Sequence, residues 1–170
     1  MTKLTLMKNY DLNDLPQGMF IVDMEIILDE NAIDFLNKWL LNFPKLDIFI
    51  LEPMSGIREE LELKIKHENL VCFFKIGYKE RYVILLTDIN DFIKIFKIAI
   101  FEINQGYNAY VFINKGNNVV SYDEDLNELF QKYEYTLIFS EVGITFMSHD
   151  KKLTTMDDII RTLPEDTIVE

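Results

Sequence analysis

The sequence predicts a single α+β domain: an antiparallel or mixed sheet of about six to eight strands, two main helices packed on it over residues 31–43 and 88–104, and short helices toward the C-terminus. Three observations lead there. Residues 88–106 carry the longest apolar pattern of helical period in the chain, several shorter segments alternate or run apolar between turn residues, and no Pro-, Gly- or Ser-rich linker divides the 170 residues.

In the long segment, Ile89, Phe92, Ile93, Phe96, Ala99, Ile100 and Ile103 follow the i, i+3, i+4 spacing of one helix face. Ile95, Ile98 and Phe101 widen that stripe, leaving Asn90, Asp91, Lys94, Lys97 and Asn104 for solvent, so this helix must be covered on more than one side. Asp88 is suited to cap the first turn, Asp91 lies near the positive end of the helix dipole, and Gly106 can adopt the left-handed conformation that closes a helix.

The other elements follow in chain order. A short strand surrounds Leu4 and Leu6, and the polar run from Asn9 to Asp14 reads as a loop up to Pro16 and Gly18. Residues 19–27 alternate, with Phe20, Val22, Met24 and Ile26 on one face and Asp23 and Glu25 on the other. Asp29 or Asn31 caps a helix with Ile33, Leu36, Leu40 and Phe43 at helical spacing, and Pro44 stops it. Residues 47–51 complete a strand-helix-strand unit. After a turn at Pro53 to Gly56, residues 60–66 alternate charge and aliphatic without a fault, which predicts a strand. Residues 70–76 and 82–87 read as central strands of a meander, joined by a turn at Gly77 to Glu80. Strands at 109–113 and 119–122 flank the turn at Lys115 to Asn118. Ser121 or Asp123 caps an acidic helix over 125–132, strands at 135–139 and 144–147 form a hairpin around Gly143, and Thr154 or Thr155 caps a last helix that ends before Pro164.

Composition narrows the function classes. The net charge is −12, distributed as −4 over residues 1–30, −1 over 31–75, +1 over 76–115 and −8 over 116–170. A chain without a basic stripe repels phosphate, so direct nucleic-acid binding and attachment to anionic membrane are not expected. No leader-like segment or long apolar run stands out, and the single cysteine, Cys72, lies within an apolar run as a structural thiol; both point to a soluble cytoplasmic protein.

The recognised catalytic patterns are absent. His67 and His149 lie far apart with no second ligand at metal spacing, His149-Asp150 has no nucleophile to serve, and six scattered glycines make no phosphate loop. No metal and no cofactor is expected. Arg58, after the Pro53 turn, could meet an anion but reads as ordinary surface, and the pairs Asp23 with Glu25 and Glu60 with Glu62 read as solvated strand charges.

One feature stands out. Asp123, Glu124, Asp125 and Glu128 gather at the start of one helix and Asp157 and Asp158 at the start of another, more acid than helix dipoles require. If the two starts share a face, they form a patch that steers and holds a basic partner protein; the competing explanation is that acid merely keeps a soluble protein dispersed. The expectation is therefore an acidic binding or inhibitory protein, similar in size, charge and cysteine poverty to the small immunity proteins that neutralise bacterial nuclease toxins, a likeness of profile that no motif carries. A small-molecule-binding domain or enzyme with scattered site residues, and a subunit of a larger assembly, are the alternatives.

Overall fold

The structure is a computed structural model of the chain and describes residues 1–8, 18–53, 56–76 and 80–170. Its elements in order are β1 (Thr2–Lys8), β2 (Phe20–Glu25), α1 (Glu30–Leu40), β3 (Leu46–Leu51), α2 (Arg58–His67), β4 (Val71–Ile76), β5 (Glu80–Leu85), α3 (Ile89–Asn104), β6 (Ala109–Ile113), α4 (Leu126–Lys132), β7 (Tyr135–Ser140), β8 (Gly143–Ser148), α5 (Met156–Ile160) and β9 (Thr167–Val169). The polar run from Asn9 to Asp14 with Pro16, the middle of the turn after Pro53, and residues 77–79 lie outside the described residues.

The strands form one mixed sheet in the order β4-β5-β3-β6-β7-β8-β2-β1-β9. Neighbours are antiparallel except β1 and β9, which run parallel with Thr2 opposite Thr167. The sheet thus exceeds the expected six to eight strands. Its unforeseen member, β9, is three residues long, too short to show a period. β2 and β3 point the same way but are separated by β8, β7 and β6, so the first strand-helix-strand unit spans the middle of the sheet. β3 and β6 are buried along their whole length, as strands covered on both faces are.

Among the described residues four helices lie on one face and one on the other. On the first face α1 and α3 cover the sheet, Leu61 and Ile65 of α2 join them, and Ile159 of α5 closes the far side. Phe92 and Phe96 meet Phe49 and Phe139, while Trp39 packs among Phe35, Phe43 and Phe146. The indole N–H of Trp39 donates to Thr162 Oγ1 at 2.9 Å, which ties the segment after α5 to α1. On the second face Leu129 and Phe130 of α4, with Tyr133, cover Ile48, Ile50, Tyr110 and Phe112.

Both main helices form at the positions expected, although α1 ends at Leu40, three residues before the expected Phe43. Asp29 Oδ1 accepts from the amides of Asn31 and Ala32, and Asp88 Oδ1 accepts from those of Asn90 and Asp91, at 2.8 and 3.1 Å in each case. Gly106, with φ of +91°, follows the end of α3. Gly143 fits its place for a steric reason, since a Cβ there would come within 2.1 Å of the Met24 carbonyl oxygen.

Three expectations are corrected. Residues 60–66 are not a strand but most of α2. Leu61 and Ile65 are buried while Leu63 between them is 69% exposed, because spacing of four closes a helical turn that also contains spacing of two. Ion pairs of the same spacing, Arg58 with Glu62 at 2.8 Å and Glu60 with Lys64 at 2.7 Å, support the turn, and Glu, Leu and Lys are strong helix formers. The three-strand meander therefore reduces to the β4–β5 hairpin. β4 is not central but an edge, with Val71 and Phe73 exposed. Residues 119–122 form no strand; Val120 and Tyr122 lie against the second face while Val119 points to solvent.

Candidate functional site

The start of α4 is built around its cap. Asp125 Oδ1 accepts from the Glu128 amide at 2.9 Å, so this carboxylate is engaged by the helix it begins. Glu124 is paired with Lys132, its carbonyl accepts from Arg81 Nη2 at 2.7 Å, and Asp123 is paired with Lys75. Glu128 is exposed and holds no cation among the described residues.

At the start of α5, Thr155 and Asp158 form a reciprocal capping box. The Thr155 hydroxyl, then the amides of Thr154 and Thr155 and the Arg161 guanidinium, hold the Asp158 carboxyl below the usual range for aspartate. Asp157 beside it is exposed. α4 packs on the second face of the sheet and α5 on the first, so the six carboxylates fall into two groups on opposite faces. Asp123, Glu124, Asp125 and Glu128 are brought together; Asp157 and Asp158 are kept from them.

Of the residues weighed for catalysis, His67 is exposed at the end of α2 and the others are bound into the structure. His149 Nε2 lies 2.9 Å from the Phe130 carbonyl oxygen, while Asp150 accepts the Tyr135 hydroxyl at 2.5 Å and the Lys152 amide at 2.9 Å, so the two neighbours serve different partners. The Arg58 guanidinium lies over the Phe74 ring at 3.8 Å and pairs with Glu62. Burial pushes the Cys72 thiol up to about 11, which keeps it protonated and poorly nucleophilic. Among the described residues no group of three His, Cys, Asp or Glu side chains could hold a metal ion, and no helix is long and apolar enough to cross a membrane.

A different surface combines acid with exposed apolar groups. Between α1 and α3 runs a groove of about 1050 Å³, and beside it, under the β7–β8 turn, lies a depression of about 410 Å³. The two meet at Leu28 and Asn104, where Asn104 Nδ2 donates to the Leu28 carbonyl at 3.1 Å. Ile27 is 81% exposed, Val142 70% and Phe101 67%. Glu25, Glu30 and Glu141 line the same surface and hold no cation among the described residues, whereas Lys3 is paired with Glu170. Neither hollow is lined by Arg58, His67 or His149.

These residues escaped the sequence reading for a definite reason. Phe101 fits the widened apolar stripe of α3, and nothing in a linear pattern tells that the stripe overruns its cover. Ile27 and Val142 lie in connections, where periodicity carries no signal. No family model, no curated protein and no solved structure matches the chain.

Proposed function

We propose that this chain is a non-enzymatic binding protein, inhibitory in effect, that occupies a basic site on a partner protein. The observation that supports it is where the unpaired acid lies. Lys3, Lys38, Arg58, Lys64, Lys75, Lys132 and Arg161 are all held by the chain's own carboxylates, and of the carboxylates that hold no cation among the described residues, Glu25, Glu30 and Glu141 stand together beside exposed Ile27 and Val142. A partner surface with Lys and Arg around an apolar centre complements that arrangement, since an interface gains from a dry apolar centre and a matched charged rim. A nuclease, whose phosphate-binding groove must be basic, is one partner class of this kind.

In this reading Asp123, Glu124, Asp125, Glu128, Asp157 and Asp158 act through the field of the whole molecule, drawing a basic partner in from either side. The test is retention of purified basic proteins on the immobilised chain. Retention is expected to weaken as salt rises from about 50 to about 500 mM, as screening shortens the reach of charge, and to weaken when Glu25, Glu30 and Glu141 are changed to Gln. Retention indifferent to both changes would overturn the proposal.

A further inference from the structure

We infer that the groove between α1 and α3 seats an amphipathic helix of the basic partner, its apolar stripe on the groove floor and its Lys and Arg flank against α1. The inference rests on the reading of the chain as a binder of basic protein, and it adds the form of the bound segment.

The groove has the dimensions and polarity for such a guest. α1 and α3 run antiparallel, with Leu28 and Asn104 at one end and Asn37 and Asn90 at the other. From Asn90 to Asn104 the α3 wall is about 21 Å long, which matches about four turns of a guest helix. Half-buried Ile33, Ile93 and Ile100 form the floor with exposed Phe101, an apolar strip that no part of the described chain covers. Leu, Ile or Phe side chains one helical turn apart would fill it, the usual manner in which a helix lies in a groove.

The charges select the guest. Glu30 and Asp34 stand one turn apart on the α1 wall, a spacing that Lys or Arg side chains four apart on a guest helix match. Asp34 is paired with Lys38 at 2.8 Å, a cation that Asp166 shares at 2.9 Å, so these three groups keep one net negative charge, and Glu30 holds no cation among the described residues. At the Leu28 end the groove opens toward Glu25 and Glu141, which extends the acid along the guest. Among the described residues Lys97 is the one cation that lines the groove, on the opposite wall, so attraction comes from the α1 side. An anionic lipid headgroup would meet the same carboxylates and be repelled. A second copy of this chain would bring an identical acidic wall against its own.

Two labelled peptides of about 18 Leu and Lys residues test this by fluorescence anisotropy, one patterned with helical period and one with the same composition scrambled. The patterned peptide is expected to bind the parent at least about tenfold more tightly than the scrambled one. Phe101→Glu, and Glu30→Gln combined with Asp34→Asn, are each expected to weaken it at least about tenfold, while Glu59→Gln on α2, which lines neither hollow, changes it less than about twofold. These side chains are exposed, and unchanged thermal midpoints would show that the variants fold. Equal binding of both peptides, or full affinity in Phe101→Glu, overturns the groove inference while leaving charge-driven binding of basic protein intact. No binding of either peptide also overturns it, and retention of basic proteins then decides the broader reading separately. A parent dimer that Phe101→Glu dissolves would assign the groove to a second copy and overturn the inference as well.

Discussion

Tyr133 and Asp47 meet in the second core, where the tyrosine hydroxyl donates to a carboxylate that is nearly out of solvent. Burial first, and then the bond to Asp47, drives the Tyr133 hydroxyl far above its ordinary range, so it remains a donor at any working pH. Tyr133→Phe keeps the ring and leaves the buried carboxylate without that donor. It is expected to cost about 1 to 3 kcal/mol in urea unfolding, and a loss below about 0.5 kcal/mol would show that the bond does not matter. Cys72 gives a second residue-scale test. Its thiol is held neutral up to about 11, so reaction with a thiol reagent should reach half its limiting rate near that pH instead of near 9. Because the folded value is raised, the linked stability is complete below the ordinary thiol range and is lost as pH rises through the folded value. Asp158 has the opposite sign: its folded value is depressed, so its contribution is present above the ordinary aspartate range and is lost as acid protonates it through the lowered folded value.

At the scale of elements, α2 separates what a pattern can tell from what it cannot. A seven-residue alternation satisfies a strand in full, yet Leu61 and Ile65 alone meet the core and Leu63 faces water. Leu61→Ala is expected to destabilise by about 2 to 5 kcal/mol and Leu63→Ala by less than about 0.5 kcal/mol, whereas a strand would make the two costs alike. Chemical-denaturation midpoints of the two variants decide it. α3 is the reverse case, since sixteen residues give the helical period room to declare itself and both its cap and its closing glycine are where the sequence places them. Phe96 lies at the centre of the aromatic cluster with Phe92 and Phe139, and Phe96→Ala is expected to cost about 3 to 5 kcal/mol. The β7–β8 hairpin was equally legible, with strong apolar runs on both sides of Gly143. β4 was misplaced within the sheet because an edge strand can carry as many apolar residues as a central one when its inner face packs on helices, as Cys72 and Phe74 do. β9 depends on hydrogen bonds to β1, a partner more than 160 residues away, and no local pattern foretells that.

For the whole molecule, net charge was readable from composition, but its arrangement was not. The carboxylates clustered in sequence are divided between the two faces of the sheet, and several are already taken up by caps and by Lys75, Lys132 and Arg161. Glu25, Glu30 and Glu141 are scattered through the sequence and come to one end only because β2, the start of α1 and the β7–β8 turn converge there. If the divided carboxylates act through the overall field, neutralising Asp123, Asp125, Glu128 and Asp157 should slow association with a basic partner while leaving dissociation unchanged, as stopped-flow mixing would register. The central claim is that acid and exposed apolar surface at the α1–α3 end form one binding face. Amide chemical shifts followed while the patterned Leu and Lys peptide is titrated in test it most directly. The expected result is a set of shifts confined to Glu30, Ile33, Lys97, Phe101, Asn104 and their neighbours; shifts centred on α4, or spread evenly over the surface, would contradict it.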